Sequence, residues 1–195
     1  MSGGYMENDI ELAAALHGHL SPGVALGLKM GWIGLKLLGL KKGDKRLFAI
    51  VETPLCLADG IQAATGCTIG HASLRVEDFG KIAACIARSD TKMGVRLSLR
   101  QDKLPQNVID WATRKRKLSH EEEKTIVNEI MGLDEAAFTV ERVFVEPFFS
   151  FEISNVIKCD ECGEWVLENR VIRINGRKLC KSCSRARYYN ILSTP

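Results

Sequence analysis

The chain has 195 residues, 46% hydrophobic and 26% charged, with seven cysteines and a formal net charge of +3. This composition excludes an intrinsically disordered chain, and the length allows one sizeable domain plus a small appendage, with a core that needs no disulfides. Seven cysteines behind an N-terminus without a charged-then-apolar leader predict thiols in a reducing cytoplasm rather than the disulfide framework of a secreted protein.

In chain order, Asp9 to Leu16 reads as a short helix that stops at His17-Gly18-His19. Ser21-Pro22 has the form of an N-cap followed by proline at the first helical position, opening a long helix to about Leu38. Lys29 and Lys36 interrupt its apolar run, so this is an amphipathic core helix and not a membrane span. Gly23, Gly27 and Gly31 recur every four residues and strip one face of side chains, which predicts close packing there. Arg46 to Glu52 reads as a strand and Leu57 to Thr65 as a helix with Gly66 at its C-cap. Ser73–Phe79, Lys81–Ser89 and Val95–Leu99 read as strands spaced like hairpins, an antiparallel meander. Two surface helices are expected between Val108 and Met131, the second opened by the capping box Ser119-His120-Glu121-Glu122. Alternation from Glu141 to Ile153 suggests a long strand rejoining the sheet.

The C-terminal stretch is the most specific. Cys159-x-x-Cys162 and Cys180-x-x-Cys183 are separated by 17 residues, within the spacing of a tetrahedral four-cysteine zinc site. Paired redox Cys-x-x-Cys motifs and rubredoxin-type iron share part of this pattern. A hairpin of Glu164–Glu168 with Val171–Ile174, then a helix from Cys183 to Leu192, would give a treble-clef-like order of knuckle, hairpin and helix. Closed coordination by four cysteines leaves no open position for substrate, so the expected role of the Zn²⁺ is structural. From Lys158 onward eight Lys or Arg face four acids, a basic balance that would suit an anionic partner or a solvated face. The expected architecture is α+β: an antiparallel sheet with packed helices over residues 1–155, followed by a small treble-clef-like zinc module over residues 156–195.

His17, His19, Cys56, Asp59, Cys67 and His71 form the remaining candidate site. The His and Cys fall in turns or at element ends, where polar side chains can converge on a cleft. Singly each is more often packed or solvated; together, imidazole and thiolate suit Zn²⁺, Ni²⁺ or Fe²⁺. Cys85, inside an apolar strand, reads as core.

At these residues the sequence resembles the FmdE family of formylmethanofuran dehydrogenase. The likeness rests on His17-Gly18-His19-Leu20-Ser21-Pro22-Gly23, where the family reads His-Gly-His-x-Cys-Pro-Gly. It rests also on Cys56-Leu57-Ala58-Asp59-Gly60-Ile61-Gln62 followed by Thr65-Gly66-Cys67-Thr68-Ile69-Gly70. The resemblance implies an α+β core with a metal-binding cleft, at times followed by a zinc finger, often a homodimer, and association with a molybdenum or tungsten enzyme. It implies no settled reaction. Two positions depart: Ser21 stands where the family has cysteine, and His71 where it commonly has lysine. A serine hydroxyl is a poor soft-metal ligand, although as a helix N-cap Ser21 is fully accounted for.

The function expected from these readings is a metal-binding accessory protein of the FmdE type, with a structural zinc finger, a degenerate His/Cys cleft and a second divalent metal there if the cleft still binds one. Whether it is an enzyme stays open. If catalysis survives, His17 or His19 would bind metal or move protons, Cys56 or Cys67 would be ligand or nucleophile, and Asp59 would orient a histidine. The alternatives are a nucleic-acid-binding or regulatory protein acting through the basic tail, with Arg185, Arg187, Tyr188 and Tyr189 on its helix, and a metallochaperone.

Overall fold

The computed structural model describes residues 3–115, 117–146, 154–185 and 187–192. They divide into two compact units, residues 1–149 and 150–195.

In the first unit, helix α1 (Gly3–His17) leads through a turn into α2 (Pro22–Leu38). As expected, Pro22 occupies the first turn and the Ser21 hydroxyl accepts from the Val24 N–H. At the other end the chain leaves through Gly39, whose positive φ closes the helix. Most of α2 is buried: Val24, Ala25, Leu26, Leu28 and Met30 lie fully out of contact with water, which makes this helix the centre of the core. One side rests on the sheet, where a Cβ on Gly34 would stand 2.9 Å from the Ile86 side chain. Another side receives α3 (Leu57–Thr65), and α1 is tied in by buried Asp9, which accepts from Trp32 Nε1 at 2.8 Å and pairs with Lys42 at 2.5 Å. No helix among the described residues is long and apolar enough to cross a membrane.

The sheet comprises β1 (Leu47–Val51), β2 (Leu74–Val76), β3 (Ala83–Arg88), β4 (Met93–Leu99) and β5 (Phe138–Phe144) in the order β2-β1-β3-β4-β5. Strands β1, β3, β4 and β5 are antiparallel neighbours. The expected meander is corrected at one strand: β2 does not form a hairpin with β3 but pairs in parallel with β1, Ala49 opposite Leu74. Helix α3 provides the crossover that a parallel pair requires. The segment after β2 stays bonded to β1, with Glu77 N–H on Val51 O and Phe79 and Lys81 N–H on Glu52 O, so Gly80 turns beside β1 rather than opening a hairpin.

Helices α4 (Gln106–Ala112) and α5 (His120–Gly132) follow β4. Ser119 and Glu122 form the expected reciprocal capping box. Helix α5 is less superficial than its charge suggests, because Ile126, Val127 and Ile130 enter the core. The long strand expected to Ile153 is observed as β5 to Phe144; residues 147–153 lie outside the described residues.

On the sheet face away from α2, Arg96 donates to both oxygens of Glu52, at 2.6 and 2.9 Å, and to Glu141 at 2.7 Å. Arg96 holds the largely buried Glu52 carboxyl below its usual range. A depressed carboxylate contributes stability that is present above its unfolded pKa and lost as pH falls through the folded one. Glu52→Gln is therefore expected to lower stability near neutrality and to flatten the loss of stability on acidification below pH ~4.5, read from urea midpoints across pH. An unchanged acid slope would count against this role.

In the second unit, β6 (Val156–Lys158) pairs with β7 (Trp165–Leu167) around the first cysteine pair. Strand β8 (Ile172–Ile174) pairs with β9 (Arg177–Leu179), and α6 (Lys181–Ser184) starts at the second pair. The order of knuckle, hairpin and helix holds, with two corrections. The segments expected to pair with each other, 164–168 and 171–174, belong to separate hairpins. Asn175-Gly176, both at positive φ, forms the two-residue turn that pairs β8 with the strand after it. The last helix ends at Ser184, so Arg185, Arg187, Tyr188 and Tyr189 do not lie on it.

Candidate functional site

The zinc-binding site is built by the two hairpins. Sγ atoms of Cys159, Cys162, Cys180 and Cys183 all lie within 4.8 Å of one another, and those of Cys162 and Cys180 are 3.9 Å apart. A regular tetrahedron with Zn–S bonds of about 2.3 Å has edges of about 3.8 Å, so sulfur shifts of about 1 Å at most bring the donor set onto Zn²⁺. Gly163, at φ +72°, lets the first knuckle close, and its N–H bonds back to Cys159 O at 3.0 Å. Backbone N–H groups of Cys162, Cys180 and Glu161 point at the Cys159 sulfur and lower its pKa to about 6. For Cys162 the Glu164 N–H works in the same direction. Desolvation and the neighbouring sulfurs of Cys159, Cys183 and Cys180 outweigh it, pushing that thiol up to about 12. Four sulfurs this close cannot all ionise against their mutual repulsion, and a dication is the charge that relieves it.

Part of the tail's positive charge is matched inside the module. Arg177 pairs with Glu161, and Arg173 and Lys178 pair with Glu168 at 3.8 and 4.0 Å.

The second candidate site is a cleft of about 620 Å³ in the first unit. His17 arrives from the end of α1 and His19 from the following turn. Ser21, Pro22 and Gly23 come from the start of α2, and Cys56 and Leu57 from the start of α3. Trp111, Ala112, Arg114, Leu118 and Glu123, from α4, α5 and their connection, also line it. The two imidazoles stand 5.3 Å apart, ring to ring. His17 Nδ1 is 2.7 Å from Asp59 Oδ2. A carboxylate only accepts, so this bond places a proton on Nδ1, and in the neutral tautomer it selects, Nε2 carries the lone pair.

Of the sequence-predicted residues, His17, His19 and Cys56 therefore share one cleft, with Ser21 beside them, and Asp59 is hydrogen-bonded to His17. Cys67 and His71 do not line it. Cys67 is buried near Thr65 and Ser73, and desolvation raises its thiol pKa. His71 is exposed in the loop before β2. Cys85 is core, as expected, and desolvation pushes its thiol up to about 12. Among the described residues, the tail cysteines form the one group of three or more His, Cys or acidic residues whose ligand atoms converge. Trp111, Arg114 and Glu123 carried no local signal, because only the tertiary fold brings them to the cleft that the histidines line.

The family of FmdE, molybdenum formylmethanofuran dehydrogenase operon, matches residues 16–141. The chain belongs to the FmdE family. Residues 150–189 match the prokaryotic dksA/traR C4-type zinc finger, in agreement with the sulfur geometry. A crystal structure of a tungsten formylmethanofuran dehydrogenase FmdE-like protein from Syntrophus aciditrophicus is similar at 26% identity and a TM-score of 0.74, covering 95% of each chain. A protein of Archaeoglobus fulgidus named a probable S-adenosyl-L-methionine-binding protein is 31% identical over 90% of this chain. The chain spans about half of that relative's length, 52%.

Proposed function

We propose that this FmdE-family protein is a metal-binding accessory protein of a reducing cytoplasm, with a structural zinc module in its tail and a cleft that takes a second divalent metal at His17, His19 and Cys56. The observation that carries this reading is the His17–Asp59 pair at 2.7 Å. A carboxylate that fixes the tautomer and orientation of an imidazole at the edge of a cleft is the arrangement that supports a histidine ligand. Cys56 adds a soft donor, while Ser21, in place of a thiol, weakens the set.

The test is titration of Ni²⁺ or Co²⁺ into the full-length zinc-loaded protein, counting metal beyond the first zinc. Ser21→Cys is expected to bind more tightly than wild type, because it adds a thiol whose anion the N-terminus of α2 favours. Its cost in helix capping is about 1 kcal/mol. His17→Ala is expected to bind more weakly. If neither substitution changes uptake, the cleft is not a metal site.

The same reading extends to partners: a homodimer, and a complex with a molybdenum or tungsten enzyme. Sedimentation showing only a species near 21.6 kDa at micromolar concentration would rule out the dimer. S-adenosyl-L-methionine is a ligand to try in parallel, on the strength of the Archaeoglobus relative's name.

A further inference from the structure

The cleft is lined by two charges left unmatched among the described residues. Arg114 and Glu123 both line it, and neither side chain has a hydrogen-bond or ion-pair partner among the described residues. Arg114 is held there at a backbone cost. Helix α4 closes with the Arg114 N–H on Trp111 O at 3.0 Å and the Lys115 N–H on Asp110 O at 3.3 Å, a Schellman motif. This puts Arg114 at φ +50°, a position where glycine is the default residue. Around the two charges stand Leu55, Ile82, Trp111 and Leu118, and about 620 Å³ is the size of a small-molecule site.

We propose that the cleft binds a small amphipathic zwitterion, with its carboxylate at Arg114, its protonated amine at Glu123 and its apolar body against Trp111, Ile82 and Leu118. A ligand bearing only an anion would meet the Glu123 carboxylate, and one bearing only a cation would meet the Arg114 guanidinium. A ligand with both signs satisfies both groups. The inference rests on the reading of this cleft as the functional site, and it requires no metal there.

The test uses three probes with one indole body: L-tryptophan, tryptamine without the carboxylate, and indole-3-propionate without the amine. Each is titrated into full-length zinc-loaded protein, following the Trp111 indole N–H resonance, which is assigned with Trp111→Phe. L-tryptophan is expected to bind about tenfold more tightly than either single-charge analogue, as one charged hydrogen bond supplies such a factor. Arg114→Gly relieves the left-handed strain and so retains or raises the melting temperature, yet it should reduce tryptophan to the affinity of tryptamine. Glu123→Gln should reduce it to that of indole-3-propionate. The proposal is overturned if the three probes bind alike, if none moves the Trp111 resonance at concentrations on the order of 10 mM, or if Arg114→Gly leaves the preference intact. Failure of the metal titration with the probe preference intact would overturn only the metal reading, and the converse result would overturn only this one.

Discussion

Replacing Cys159 and Cys162 together by alanine is expected to remove the zinc and to unfold residues 154–192 while leaving the first unit folded. Among the described residues of the second unit few apolar side chains are buried: Leu179 with Cys159 and Cys180, while Ile157, Val166, Leu167, Val171 and Ile172 are only partly covered. Burying a side chain such as Leu179 yields about 2–3 kcal/mol, too little of a core to hold the unit without its metal. A structural Zn²⁺ contributes roughly 10–16 kcal/mol at neutral pH, several times what that side chain supplies. Elemental analysis should read about one zinc per wild-type chain and none in the variant. Amide exchange should become fast across the β6–β7 and β8–β9 hairpins and stay slow in α2. Stoichiometric zinc in the variant, or protected hairpins without metal, would refute a zinc-dependent module. The same loss should follow acidification, because the four thiolates must be reprotonated to release the ion.

Where chemistry was carried by local signals, the sequence was informative. Ser21-Pro22, Gly66 and the Ser119 capping box mark the ends of α2, α3 and α5 because each acts on backbone groups within a few residues of itself. The two Cys-x-x-Cys pairs identify the zinc site because the ion imposes its own geometry on any chain that supplies four sulfurs at that spacing. The partner of β2 was illegible for the opposite reason. Gly80 has the local form of a hairpin turn, and only long-range bonds from Glu77, Phe79 and Lys81 to β1 decide otherwise. In the tail the signal was present and unused: Asn175-Gly176 between Ile174 and Arg177 is a strong short-range hairpin mark.

The cleft was half legible. His17, His19 and Cys56 stand out as residue types, and the family motif groups them with Asp59. Cys67 belongs to the same motif yet sits in the core, since a motif preserves sequence neighbours and not a shared surface. Trp111, Arg114 and Glu123 reach the cleft through α4 and α5, about a hundred residues after the histidines. Nothing local marks them.

The glycine stripe of α2 predicts close packing, and the neighbour is α3 of the same chain. That accounts for the stripe without a second copy. A Cβ on Gly27 would stand 2.9 Å from both the Gly60 Cα and the Ile61 N and closer still to the Leu57 carbonyl. One on Gly60 would stand 2.8 Å from Gly27 Cα and Leu28 N. These are backbone atoms, which cannot swing aside as a side chain would, so the two helices must separate. Helix propensity alone would make Gly27→Ala stabilising by about 1 kcal/mol. Overpacking at a backbone crossing reverses the sign, and the variant is expected to lose about 3 kcal/mol or more. Gly132→Ala is the control, because a Cβ there meets nothing within 4 Å and the change should be neutral or stabilising. Urea unfolding distinguishes the two: a Gly27→Ala midpoint at or above wild type would refute the crossing. The effect should also reach the cleft, since α3 positions both Cys56 and Asp59. Displacing it by the width of a methyl group lengthens the 2.7 Å bond to His17, so metal uptake and the Trp111 probe response should weaken together in Gly27→Ala and remain unchanged in Gly132→Ala.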